Sequence, residues 1–270
     1  LDGRPDAARL AASAGRWRPL LRLLAAGYSD SEPERQRRRQ TSTVLGVGLL
    51  VVGVIAASTS GFVFGIQQGR PGWVSAVQAP ASVTFALATG AASAIVLAVV
   101  LKAALNEQQR FDQRLFSWLS NIMTAVALVA AYFVLVEVIT AGYEARRDAT
   151  PVWDAVFTGR YAPLFWLSNG LLIMGLLIGG TQLIRRTWSP LWTTLAAVAV
   201  LAAALLKRYL LVVPPLTEGR LLHYSAGSYS PTWVEYLVVL GLVALGIGFF
   251  MVVMKIFPVV QISSDKEAAR

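Results

Sequence analysis

The chain has 270 residues, of which 56% are hydrophobic and 14% charged, and its mean hydropathy is +0.58. Soluble domains carry roughly 25% charged residues, so this deficit, concentrated in long apolar runs, points to the membrane class. There is no cysteine and one histidine, His223. That excludes disulfides, thiolate-held iron–sulfur clusters, a cysteine nucleophile and bis-histidine haem ligation from this chain's own side chains. The net charge of +9 lies in flanks and loops, as it does in membrane proteins, so no nucleic-acid partner is expected.

Residues 1–43 hold nine arginines and lack the pattern of a signal peptide. They read as a basic cytoplasmic segment, and the start at Leu1 reads as a portion of a longer protein. Six apolar segments follow, near 44–66, 82–105, 116–142, 163–185, 191–213 and 233–257. Each has the roughly 20 residues needed to cross a bilayer, and unbroken apolar runs call for helices, not barrel strands. The expected fold is all-α, an integral membrane bundle of six transmembrane helices over 44–257 with a tail at 258–270. With residues 1–43 inside, seventeen Lys and Arg fall on the inner side and seven on the outer. This split places both termini on the cytoplasmic side.

On that topology the inner loops are short (106–115, 186–190) and the outer ones longer (67–81, 143–162, 214–232). The outer loops carry Trp73, Trp153, Tyr161, Tyr224 and Tyr229, and Trp233 opens the last span; these are aromatic types favoured at a membrane interface. Pro214 and Pro215 are expected to end the fifth span. Gly175 and Gly179, in "GLLIGG", have the small-xxx-small spacing that lets helices approach closely.

Ionisable groups within the spans mark the candidate site. Glu137 stands about one and a half turns from the outer end of the third span. There the negative end of the helix dipole opposes a carboxylate, which therefore needs a partner, a proton or water. One reading is a packing glutamate tied to a cation; the other is a role with substrate or protons. Lys207 and Arg208, near the outer end of the fifth span, suit its dipole. Lys207 reads as a snorkelling lysine. Arg208 is the preferred partner for Glu137, because a guanidinium holds a carboxylate with two hydrogen bonds. The two cations are neighbours in sequence, about 100° apart around a helix, and do not serve one site equally.

Glu235, in "SYSPTWVEY" (Ser228 to Tyr236), opens the last span. Ser230 and Pro231 read as N-cap and first helical residue, and Thr232 to Glu235 has capping-box spacing. Glu235 either starts the helix or also lines a polar pocket. Tyr143 and the loop residue His223 complete the candidates for a quinol or proton path. All five groups, Glu137, Tyr143, Arg208, His223 and Glu235, fall toward the outer face. Thr59, Thr84, Thr89, Ser93, Asn121 and Thr124 are uncharged groups able to lead water inward, although such hydroxyls more often bond to backbone carbonyls.

The segments "PDAARL" with "GYSDSEPERQRRR", "RPGWVSAVQAPASVTFALATGAASA", "YFVLVEVITAGYE", "LLKRYLLVVPPL" and "YSPTWVEY" followed by "KIFP" resemble the membrane subunit of polysulfide reductase, the NrfD-like family. More narrowly they resemble its members in bacterial alternative complex III. The resemblance implies a bundle without redox metal, a second homologous membrane subunit beside it, and iron–sulfur and cytochrome partners outside the membrane. Quinone or quinol is the one cofactor it implies. Family members have about eight to ten helices, which implies some four more upstream. In quinol-binding members the helix before the "PGW" loop tends to carry a histidine. Here "AASTSGFVFG" has Ser58, Thr59 and Ser60 instead, which fits the structural or proton-conducting member better than the quinol-binding one. A transporter is the alternative from another class.

Overall fold

The computed structural model describes residues 32–70, 72–105, 113–143, 150–218 and 229–256. They form seven helices and, among the described residues, no strand: α1 (Glu32–Gly65), α2 (Gln78–Leu105), α3 (Gln113–Tyr143), α4 (Thr150–Phe157), α5 (Ala162–Arg185), α6 (Pro190–Thr217) and α7 (Trp233–Ile256). All except α4 are long and apolar enough to cross a membrane. His223, Tyr224, residues 1–31 and the expected tail at 258–270 lie outside the described residues.

The chain divides into two compact units, residues 53–229 and, separately, residues 1–52 with 230–270. In the second of these, α1 begins twelve residues before its apolar run, and Thr41 and Thr43 donate to the carbonyls of Arg37 and Arg39, each at 2.9 Å. α7 is apolar around its circumference, the composition of a helix surrounded by lipid or by other membrane helices. Thr232, not Ser230, opens it. Its carbonyl accepts from the backbone N–H of Glu235 (3.1 Å) and of Tyr236 (3.3 Å), and its hydroxyl donates to Glu235 Oε1 at 3.1 Å. Pro231 therefore precedes the helix.

The unit spanning 53–229 is a four-helix bundle of α2, α3, α5 and α6, in which α2 packs on α3 and α6, and α5 on α3 and α6. Its centre is built from small residues: Ala88, Ala92, Ala127, Ala196, Ala197 and Ala203, with Ile95, Met123 and Val200 filling between them. Lipid tails are as apolar as such side chains, so close backbone approach and dispersion hold membrane helices together. The Gly175/Gly179 spacing has this consequence. A Cβ on Gly175 would lie 2.8 Å from Val200 Cγ2 of α6, and one on Gly179 would lie 2.0 Å from Thr124 Oγ1 of α3. The last turns of α1 use the same device, since a Cβ on Gly61 would meet the Ala79 Cα and the Gln78 carbonyl at 2.5 Å.

Two features depart from the sequence expectation. The stretch 143–162, read as loop, contains α4. Its Val152 and Val156, one turn apart, are buried, and Phe157 stacks on Trp153 and meets Phe165 edge-on. Helix α6 does not stop at Pro214 but runs through both prolines to Thr217. A proline in a helix removes the N–H owed to the carbonyl four residues back. For Pro215 that carbonyl belongs to Leu211, and the indole N–H of Trp73 fills the vacancy at 2.6 Å. Trp73 is thus a buried internal partner (8% exposed) packed edge-on against Phe64. The preceding Gly72, at φ +83°, lies where a side chain would approach Val152 and Pro215, so a residue free of Cβ fits both the conformation and the space.

Candidate functional site

The end of the bundle formed by the start of α2, the last turns of α3 and α6, and α4 carries the polar groups. Tyr161, expected at the lipid interface, is buried there, and its hydroxyl shares a hydrogen bond of 2.7 Å with Thr217. Arg160 lies over the Tyr161 ring and pairs with Glu218 at 2.7 Å. These contacts tie the end of α6 to the start of α5 and fix the register of the residues one to three turns deeper.

Glu137 lies there, six residues before the end of α3, or about 9 Å along the axis. Its Oε2 accepts a hydrogen bond from Lys207 Nζ in an ion pair whose two side chains are each 20% exposed. The carboxylate thus has the cation that its position against the α3 dipole requires. The cation is Lys207, not the expected Arg208. Two causes act together. Because α6 continues past Pro214, Lys207 stands ten residues, about 15 Å, from the helix end instead of near its mouth. It also falls on the stripe that faces the core, in step with Val200, Ala203, Ala204, Leu210 and Pro214, all buried. Arg208, one residue further round, is exposed. It still lines the same cavity as Glu137 and Lys207. The periodicity of the small residues in α6 was the available signal for choosing the lysine.

The cavity has a volume of about 40 Å³ and is also lined by Gln78, Ser82 and Phe85. Gln78, buried in the first turn of α2, was not singled out from sequence; its signal was an amide opening an otherwise apolar span. A cavity needs roughly 10–15 Å³ to hold one water, whereas pockets for small molecules run from about 300 Å³. Within this unit the polar cluster is therefore the size of a water site.

The other candidates are dispersed. Tyr143 ends α3 and is 88% exposed, away from the cavity lining. Glu235 belongs to the other unit, where it faces the Thr232 hydroxyl. Among the six uncharged groups, Thr59, Thr84, Thr89 and Thr124 donate to carbonyls of their own helices at 2.7–3.0 Å. Ser93 is exposed, and Asn121 is half-buried. No group of three or more His, Asp or Glu able to hold a metal occurs among the described residues.

Comparison with known proteins adds the ancestry. The Hdr-like menaquinol oxidoreductase integral membrane subunit of Archaeoglobus fulgidus is 25% identical over 222 residues, which cover 77% of this chain and 55% of that protein. The chain thus spans about half the length of this relative. The family described as polysulphide reductase, NrfD, matches residues 11–217. That match takes in α1 to α6 and both residues of the ion pair, while α7 and its "PTWVEY" start lie beyond it. With more than half of its length matched and six helices fit to span a membrane, the chain belongs to the polysulphide reductase NrfD family and is a multi-pass membrane protein.

Proposed function

We propose that the chain is the integral membrane subunit of a quinol-oxidising electron-transfer complex, of the kind found in bacterial alternative complex III. In this reading it seats iron–sulfur and cytochrome partners and carries no redox metal. Its Glu137–Lys207 pair exchanges protons with water and does not itself hold the quinone ring. The carrying observation is the ion pair beside a cavity of about 40 Å³ with amide and hydroxyl walls. A carboxylate within a span, paired with a lysine and next to room for water, has the composition of a proton relay. The name of the Archaeoglobus relative supports the quinol-linked setting. The basic ends of α2, α3 and α5, with Lys102, Arg114, Arg185 and Arg186, favour a cytoplasmic location for that end of the bundle, which leaves the ion pair toward the outer face.

The test is purification from native membranes in mild detergent, with quinol oxidation and proton release measured for the wild type and for Glu137→Gln. The expected result is co-purification with iron–sulfur and multihaem subunits. In the variant the KM for quinol should be unchanged while proton release per quinol falls. Photolabelling of α2, α3 or α6 beside Glu137 by a quinone analogue would make this the quinol-binding subunit instead. Substrate uptake by the isolated chain, with quinol oxidation intact in its absence, would make it a transporter.

A further inference from the structure

The opposite end of the bundle, at the turn between α5 and α6, holds a second polar site that neither the ion pair nor the family match accounts for. α5 ends at Arg185. Arg186 follows in the left-handed region at φ 53°, its N–H closing on the carbonyls of Gln182 and Leu183. Three residues later Ser189 stands before α6, and its side chain makes no cap to that helix. The first N–H groups of α6, which begin at Leu191 because Pro190 has none, therefore receive no cap from Ser189, and a negative group is favoured there. One turn back, the buried Gln182 (6% exposed) accepts at Oε1 from the Thr193 hydroxyl at 2.9 Å. This orients the amide, and its Nε2 is left buried with no hydrogen-bond partner. A buried donor left unsatisfied is costly, so such groups call for an explanation.

Gln182, Arg185 and Ser189 all line one cavity. It has a volume of about 450 Å³ and is lined by Gln182, Arg185, Thr187, Trp188, Ser189 and Trp192, with no Asp or Glu among the described residues of its wall. The size is that of a small-molecule site. The electrostatics select an anion: the Arg185 guanidinium, the positive end of α6, the hydroxyls of Thr187 and Ser189 and an amide donor, with no carboxylate among the described residues of the wall. The flanking indoles select a ligand with an apolar part. Trp192 is exposed, Trp188 is half-buried, and Ile178 continues the wall along α5 toward the apolar spans. Tryptophan beside a cation at the end of a membrane span is the composition that meets lipid headgroups.

We propose that this cavity binds the phosphate headgroup of an anionic phospholipid. Arg185 holds the phosphate oxygens, Gln182 Nε2 donates to one of them, and the acyl chains run down the α5 face past Ile178. Gln182 contributes a buried, unpartnered donor in the cavity wall, and Arg185 supplies the charge.

The experiment is native mass spectrometry of the full chain purified in detergent, titrated with phosphatidylglycerol and with phosphatidylcholine of the same acyl chains. The expected result is retention of one phosphatidylglycerol at a concentration about fivefold or more below that for phosphatidylcholine. Arg185→Gln, at an exposed position, should cut the preference to within about twofold. Gln182→Leu should reduce it as well. Arg186→Gln, whose side chain does not line the cavity, should leave it intact. Equal retention of the two lipids by the wild type would overturn the proposal. So would an equal loss from Arg186→Gln, which would indicate diffuse surface charge. Displacement of the lipid by about 10 mM inorganic phosphate would make this a soluble-anion site, and displacement by a short-chain quinone would make it a quinone site. Either result would replace the lipid.

Discussion

Replacing Lys207 by glutamine should destabilise the bundle because it strands the Glu137 carboxylate. Breaking a fully buried ion pair by removing one partner costs about 3–5 kcal/mol, whereas an exposed pair contributes about 0–1 kcal/mol. With each side chain 20% exposed, the pair lies nearer the buried limit, and a loss of about 2–4 kcal/mol is expected for Lys207→Gln or Glu137→Gln alone. The double variant places two neutral amides within reach of each other and should cost about 1 kcal/mol or less. The coupling energy in the double-mutant cycle is then at least about 3 kcal/mol. Arg208→Gln, which removes an exposed charge, should cost under about 1 kcal/mol. The assay is reversible unfolding in mixed micelles, followed by circular dichroism. Additive single losses, or an Arg208→Gln loss equal to that of Lys207→Gln, would refute the assignment of the lysine as the partner.

Gly179→Ala should cost about 1–3 kcal/mol, since its Cβ would fall 2.0 Å from Thr124 Oγ1 in a packed interface; adding Thr124→Ala should recover most of that loss in the same unfolding assay. Trp73→Phe should cost about 1–3 kcal/mol by leaving the Leu211 carbonyl without its donor, and in a Pro215→Ala background, where a backbone N–H returns, the penalty should fall below about 1 kcal/mol. A protease site placed after residue 270 should be cut only from the cytoplasmic side of sealed membranes, and cutting from outside would reverse the orientation drawn from the 17-to-7 charge split.

The spans were legible because crossing a bilayer depends on length and hydropathy along one segment, and both are properties of the chain. All six expected spans reappear as α1, α2, α3, α5, α6 and α7. The close approach at Gly175 and Gly179 was legible for a related reason: small residues one turn apart leave a flat helix face whatever the neighbour is. The need of Glu137 for a partner also followed from its place against the dipole of its own helix.

The identity of that partner did not. Lys207 and Arg208 differ by one position, and which of them turns inward depends on where α6 meets α2 and α3. The length of α6 was hidden in the same way. Pro215 removes a hydrogen bond whatever its surroundings, but Trp73, 138 positions distant from Leu211, supplies the replacement, so the helix continues where local rules end it. The unpaired amide of Gln182 is likewise a product of packing, because only the Thr193 hydroxyl, brought alongside by the α5–α6 turn, orients it. Which segments enter the membrane is written along the chain, since that free energy is summed residue by residue. Which polar groups meet follows from packing, because a hydrogen bond or an ion pair depends on two side chains arriving at one point, and their directions are set by helix contacts between residues far apart in the chain.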